Sequence, residues 1–316
     1  MGPLVTAGVA NVGATAAHPA GPTSLLPRQQ SGSAPQHLLV TLLGDYWLDP
    51  AARVPTAAVV DVLAEFDVSA VNARTALSRL SRRGLVATER SGRHAHLRLS
   101  ADARRDLSSG AARIMRFGLP AGPWDGLWTL VTFSLPEEQR NVRHQLRSTL
   151  RWLGFAVLFD GVWVSPGGPL DRLEELFAHL GVESFSVLRV LEPALGRSPL
   201  HAWDLSSTQR AYEDFLDAHD RLRDRVRTGS VGSAEALVSR TRVMDAWRAL
   251  PALDPGLPDE LLPADWPRVR ARALFTELYD SLGPLSEHRV RQLVRKHDQQ
   301  LADLATHHTS SAWSAD

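Results

Sequence analysis

Residues 70–83 read Ala70-Val71-Asn72-Ala73-Arg74-Thr75-Ala76-Leu77-Ser78-Arg79-Leu80-Ser81-Arg82-Arg83. After Gly84 come Leu85-Val86-Ala87-Thr88-Glu89-Arg90, Ser91-Gly92-Arg93 and His94-Ala95-His96-Leu97-Arg98-Leu99-Ser100. Ala73, Ala76, Leu77 and Leu80 recur at helical spacing, so the first stretch predicts a helix over Ala70–Arg83 with one apolar face. Ser69 is placed to cap it and Gly84 to end it. Leu85–Arg90 and His94–Ser100 alternate as two strands around a tight loop at Ser91-Gly92-Arg93. Upstream, Val59, Val60, Leu63 and Phe66 predict a helix over Thr56–Phe66, started by Pro55 and Thr56 and followed by the short turn Asp67-Val68-Ser69. A first helix is expected over His37–Tyr46. Helix, turn, helix and hairpin in this order describe a winged helix-turn-helix.

The charge of this stretch points the same way. The whole chain has 35 basic and 35 acidic residues, yet between Asn72 and Arg105 nine arginines face only Glu89 and Asp102. A helix that reads duplex DNA turns its apolar side inward and its polar side to the groove. Here the polar side is Asn72, Arg74, Thr75, Ser78, Arg79, Arg82 and Arg83, while Arg90 and Arg93 stand at the hairpin tip. Arginine can grip phosphates or chelate a guanine edge. These nine residues are the candidate DNA-binding set. The plainer alternative, a solvated helix face beside a hairpin, is outweighed by the concentration of arginine on this topology. His94 and His96 share a strand face at a spacing that could ligate a metal. No carboxylate or cysteine lies near them in sequence, so no metal site is assigned.

Working outward, residues 1–34 are rich in Ala, Gly, Pro, Ser and Thr, and are expected to be a disordered leader. The winged helix occupies 35–103. A connecting helix, Arg104–Phe117, and a linker with Pro120, Gly122 and Pro123 fill 104–123. Residues 124–196 predict strand (Leu127–Leu135), helix (Pro136–Leu153), hairpin (Phe155–Phe159 and Val162–Ser165 around Asp160-Gly161), helix (Leu170–Leu180) and strand (Ser184–Leu191). That βαββαβ order is a ferredoxin-like split βαβ domain. Residues 197–306 predict helices only. Ser206 and Gln209 suggest a capping box before the first; further helices are expected over Ala234–Leu250, Trp266–Leu282 and Glu287–Leu304. Residues 307–316 are expected to be a flexible tail. The fold class is therefore α+β and multidomain.

With 44% hydrophobic and 22% charged residues, the chain has the balance of a globular protein. No apolar run reaches the roughly 20 residues of a membrane helix, and no signal peptide is evident, so a cytoplasmic location is expected. Cysteine is absent, which excludes disulfides, thiolate nucleophiles and cysteine metal sites. The sole lysine is Lys296.

Seven ordered segments carry a family resemblance. They are Leu42-Leu43-Gly44-Asp45-Tyr46, Arg74-Thr75-Ala76-Leu77-Ser78-Arg79-Leu80, Trp124-Asp125-Gly126-Leu127-Trp128 and Arg151-Trp152-Leu153-Gly154-Phe155. Gly161-Val162-Trp163-Val164-Ser165-Pro166, Ala202-Trp203-Asp204-Leu205 and Asp254-Pro255-Gly256-Leu257-Pro258 complete the set. Over residues 37 to 300 the chain resembles the PaaX family of phenylacetic-acid-degradation repressors. The resemblance implies a homodimeric repressor with a winged helix, a ferredoxin-like central domain and a helical C-terminal domain. It also implies an aromatic acyl-coenzyme A effector that releases the protein from operator DNA. Trp203, Arg240, Arg242 and Trp247 are the candidate effector residues: the indoles could stack on an aryl group and the guanidinium groups could face phosphates. Core packing for the tryptophans and a solvated helix face for the arginines are the plain alternatives.

No catalytic residue and no cofactor is assigned. A metal-dependent nuclease, suggested by the similarity of the central pattern to small ferredoxin-like CRISPR-associated nucleases, needs converging carboxylates. The first central strand ends in Phe133-Ser134-Leu135, with Glu137 and Glu138 only beyond it. A winged-helix adaptor that binds protein is the other rival; the arginine excess favours DNA.

Overall fold

The computed structural model describes residues 34–91, 94–120, 122–168, 170–191 and 198–313, without the side chains of Ser91 and His94. The expected leader, apart from Ala34, and Arg93 at the hairpin tip lie outside the described residues.

The N-terminal part contains α1 (Pro35–Tyr46), β1 (Val54–Pro55), α2 (Thr56–Ala64), α3 (Ala70–Arg82), β2 (Val86–Ser91) and β3 (His94–Leu99). The two long strands pair antiparallel, with Thr88 opposite Leu97. The short β1, which periodicity did not suggest, adds to the other side of β3 with Val54 opposite Leu97. Pro55 is tolerated there because an edge strand has a side that need not donate. Leu39, Leu42, Leu63, Ala73, Leu80, Leu85 and Leu97 form the core beneath these elements. α4 (Ala101–Arg116) begins three residues before its expected start, because the Ser100 hydroxyl accepts from the Ala103 N–H at 3.2 Å.

The central part runs β4 (Trp128–Phe133), α5 (Arg140–Trp152), β5 (Ala156–Phe159), β6 (Val162–Ser165), α6 (Leu170–Leu180) and β7 (Phe185–Val190). Its strands lie in the order β5-β6-β4-β7, each pair antiparallel, which is the split βαβ arrangement. One sheet face packs on the two helices through Val131, Trp163, Leu146, Leu150, Leu173 and Phe177. The other face, through Trp128, Leu158 and Val164, meets Leu200 and Trp203 from the next part.

From Pro199 the described residues carry helices and 3-10 turns: α7 (Leu205–Arg227), α8 (Ser233–Trp247) and α9 (Arg268–Arg295) are the long ones. The cap of α7 is Asp204, whose carboxylate accepts from the Ser207 N–H at 3.1 Å, rather than the expected Ser206. The Asp254-Pro255-Gly256-Leu257-Pro258 loop is held by one carboxylate. Asp254 accepts from Tyr212 Oη at 2.5 Å, Arg268 Nε at 3.0 Å and the Gly256 N–H at 2.7 Å.

α9 corrects the expectation of two helices, since it continues through Pro284. Proline removes one helical N–H and usually breaks a helix at a cost of about 3 kcal/mol. Here burial of Leu282, Gly283 and Ser286 against neighbouring elements outweighs that local penalty. The described part of the tail, with the residue before it, makes specific contacts. The Ser310 N–H and hydroxyl both donate to Asp280 at 2.7 Å, and the Thr306 N–H donates to the Tyr46 carbonyl at 3.1 Å. A Cβ at Gly283 would collide with the His307 ring, so only glycine lets the tail lie on α9.

The N-terminal core does not close on itself. Leu237 of α8 and Val290, Leu293 and Val294 of α9 belong to it. At the seam Arg240 is fully buried. Its Nε donates to the Tyr279 carbonyl at 3.0 Å, Nη1 to Tyr46 Oη at 3.3 Å and Nη2 to the His308 carbonyl at 2.7 Å. Asp45 Oδ2 stands 3.5 Å from Nη1, and the guanidinium lies 3.7 Å from the Tyr279 ring centre. Burial opposes the charge of Arg240, but the oxygens of Tyr279, Asp45 and Tyr46 outweigh it and hold the group protonated. Burial also lowers His308 below the ordinary imidazole range, against the pull of Asp45 and helped by Arg240 and His307. A base whose folded pKa is depressed takes up a proton on unfolding, so its contribution is complete above the unfolded value of about 6.5 and is lost as pH falls below it. His308→Gln should remove that component. The difference in Tm between parent and variant should therefore shrink as pH is lowered from 7.5 to 5.5, measured by calorimetry; a difference independent of pH would contradict it.

Candidate nucleic-acid interface

Three local devices set the direction of α3. Its N-terminus is capped by the Ser69 hydroxyl, which accepts from the Asn72 N–H at 3.3 Å. The turn from α2 passes through Asp67 at φ 61°, a left-handed conformation that short polar side chains tolerate better than branched ones. Ala73, Ala76, Leu77 and Leu80 are buried beneath the helix.

The opposite side of α3 is open. Asn72, Arg74, Thr75, Ser78, Arg79, Arg82 and Arg83 are all exposed, as is Arg90 near the end of β2. Arg74, Arg79, Arg82 and Arg90 have no ion-pair or hydrogen-bond partner among the described residues. Thr75 turns its hydroxyl back to the Val71 carbonyl at 2.9 Å. A shallow depression of about 360 Å³ runs along this surface, lined by Val71, Arg74, Thr75, Ser78 and Arg82. Glu89, the acid of the hairpin, is matched by Arg53 at 3.3 Å and Arg98 at 2.6 Å. The surface offered to a partner therefore stays positive.

Residues far along the chain hold this platform, and sequence spacing gave no sign of them. Arg289 of α9 donates to Glu65 at 2.6 Å, and His297 lies 2.8 Å from Asp61 of α2. His96 faces Asp298 at 3.7 Å, so a carboxylate does approach the β3 histidines, from the far end of the chain. Among the described residues no three His, Asp or Glu side chains converge as a metal site would require.

The four effector candidates do not come together. Arg240 is neither solvated nor open to a ligand: each guanidinium nitrogen is engaged at the seam. Trp247 is core, stacked on Phe275 at 4.7 Å between ring centres, with its indole N–H donating to the Ile114 carbonyl at 3.2 Å. Arg242 is exposed on α8. Trp203 is half-buried 6.3 Å from Trp128, which in turn meets Trp124 edge-on at 5.5 Å. These three indoles form a cluster between the central sheet and the C-terminal helices, which the spacing of tryptophans in sequence did not reveal. Glu137 and Glu138 lie exposed in a 3-10 turn before α5, with Glu137 paired to Arg140 at 2.9 Å. Among the described residues no helix is long and apolar enough to cross a membrane.

Ser69→Ala should destabilise the N-terminal part by about 1 kcal/mol, the usual value of a side-chain cap. Faster amide exchange confined to the first turn of α3 would show it; unchanged exchange at Asn72 would mean that the cap contributes nothing.

Comparison with known proteins covers most of the described chain. Residues 34–103 match the family described as PaaX-like protein. Residues 121–199 match the PaaX protein central Cas2-like domain, and residues 203–292 the PaaX-like protein C-terminal domain. The transcriptional repressor PaaX of Escherichia coli (strain K12) is 28% identical over 221 residues, covering 67% of this chain and 68% of that one. Among solved structures, the uncharacterized protein Rv0674 from Mycobacterium tuberculosis shares the fold with a TM-score of 0.53 at 23% identity, over 80% of this chain and 97% of its own. Three successive matches in one order, laid over a mixed α+β architecture whose central sheet has the split βαβ topology, place the chain in the PaaX family.

Proposed function

We propose that the chain is a cytoplasmic, DNA-binding transcriptional repressor and that residues 35–103 act as its winged helix-turn-helix. The observation that carries this reading is the exposed face of α3, where Arg74, Arg79 and Arg82 lack protein partners among the described residues, opposite a fully apolar buried face. The name of the Escherichia coli relative supports the same role. Asn72, Arg74, Thr75, Ser78 and Arg79 approach base edges in the major groove. Arg82, Arg83, Arg90 and Arg93 meet phosphates. Exposed Arg74 and Arg79 are positioned for bidentate contact with guanine.

A homodimer would present two such helices to a palindromic operator. The central domain supplies a suitable contact, because β7 is an edge strand with Leu188 51% and Leu191 70% exposed beside it. The regulated genes serve aromatic-acid catabolism of the phenylacetate type, and an aryl-coenzyme A thioester is the effector. Of the residues considered for it, Trp203 and Arg242 remain accessible, and Trp203 joins an aromatic cluster at a seam between parts of the molecule. No enzymatic role is assigned.

The DNA reading predicts that Arg74→Ala and Arg79→Ala each lose about 1–3 kcal/mol of discrimination between operator and scrambled duplex. Arg93→Ala should weaken both duplexes alike and lower the salt slope by about 0.9 per lost phosphate contact. Fluorescence anisotropy over a range of salt concentrations separates the two. Folded variants that all bind like the parent would refute the assignment.

The effector reading predicts that a panel of aryl-coenzyme A thioesters contains one that lowers operator affinity by a factor of about 5–150. Free coenzyme A and free aromatic acids should not act. Release requires different ligand affinities for the two conformations, so operator DNA must weaken thioester binding by the same factor. Titration calorimetry with and without operator checks this reciprocity, and a panel without effect would remove the thioester from the proposal.

A further inference from the structure

We infer that the C-terminal end of α9 is part of the nucleic-acid contact: Lys296 grips a phosphate of the duplex beside the bases that α3 reads. This rests on the DNA-binding reading and extends it to a residue outside the N-terminal domain.

The placement follows from how α9 lies against α2. Arg289 reaches Glu65 at the end of α2, and His297 reaches Asp61 one turn earlier. As α9 advances, it therefore passes toward the start of α2. Lys296 follows Arg289 by seven residues, two helical turns, and so lies on the same edge of the helix. Its neighbour His297 lines a second depression of about 360 Å³, together with Pro55 of β1, Thr56, Ala57, Val60 and Asp61 of α2, Arg74 of α3 and Ala95 of β3. Arg74 also lines the depression along α3, so the two recesses share one wall. Through Arg74 and His297, the recess beside α3 is thus linked to the residue next to Lys296.

The acids near the end of α9 are engaged within the protein. Asp61 is matched by His297, Glu65 by Arg289 and Asp303 by Arg295 at 3.3 Å. Asp298 faces His96 and also accepts from the Gln300 and Leu301 N–H groups at 2.9 and 3.1 Å. Each of these four acids thus has an arginine, histidine or N–H group as its partner. Lys296 and Arg74 have no such partner among the described residues, and both are exposed. An ammonium on a flexible stem suits a phosphate as a point charge and carries no base preference. A lysine at a helix C-terminus also complements the helix dipole, a role that DNA would leave untouched.

Because Lys296 is the sole lysine, an amine-directed reagent reports on it alone apart from the chain terminus. Reductive methylation of the full chain, read by mass spectrometry, should slow at Lys296 when a duplex selected by the parent from a random pool is bound. Lys296→Ala should weaken that duplex and a scrambled one by the same factor, about eightfold per protomer at ~0.1 M salt, and lower the salt slope by about 0.9 per protomer. Lys296→Arg should restore both. Methylation unchanged by DNA, with a parent-like salt slope for Lys296→Ala, would overturn the proposal. If Arg79→Ala still loses discrimination in that case, only the role of Lys296 falls. If Arg79→Ala is silent as well, the DNA-binding reading falls with it.

Discussion

A guanidinium with no access to water cannot be left unsatisfied, and that requirement organises this protein. Arg240 draws its hydrogen-bond acceptors from α1, α9 and the chain end. Removing one partner from a buried charge typically costs 3–5 kcal/mol, so these elements are held in a single arrangement. Such a pair is weak support for net stability, because two well-packed apolar residues could serve as well. What the charge adds is geometry. Each nitrogen must point at its acceptor, and the acceptors belong to segments far apart in sequence. The helix bearing the arginine face is thereby fixed relative to helices that begin more than a hundred residues later.

Much of this architecture was legible in the sequence, and the limits have physical causes. The apolar faces of α3, α5 and α6 repeat at helical period, and the Asp160-Gly161 hairpin is local chemistry; nothing distant was needed to read them. β1 escaped notice because two residues have no period. α9 was divided at Pro284 because propensity is a local quantity, whereas the packing that carries the helix through is not. The motif Leu42-Leu43-Gly44-Asp45-Tyr46 stood out as a family mark without an explanation, and its Asp45 and Tyr46 prove to be partners of Arg240. Asp254, in the later motif, likewise holds its loop through Tyr212 and Arg268. The exposed arginines of α3 could be named from their spacing alone. Arg240 and Trp247 could not be told from ligand-facing residues, because a buried cation and a core indole look the same in sequence as an accessible pair.

The histidines that touch the N-terminal part give a similar lesson. Sequence offered His94 and His96 as neighbours with no acid nearby. The fold brings Asp298 to His96 and exchanges the roles one residue away, where His297 serves Asp61. The contact between the two parts is therefore reciprocal, with each side contributing one imidazole and one carboxylate.

The unbroken course of α9 has a mechanical consequence. Its first half lies in the core shared with Trp247 and Phe275, and its last turns lie in the core beneath α3. At 28 residues it is a rod of about 42 Å. A rod pivoting at one end by about 5° carries the other end through about 3.7 Å, close to the 3.4 Å rise of one base pair. Neither core can therefore tilt by a few degrees without displacing the packing at the other end of α9, and the two parts of the molecule are tied together as one mechanical unit.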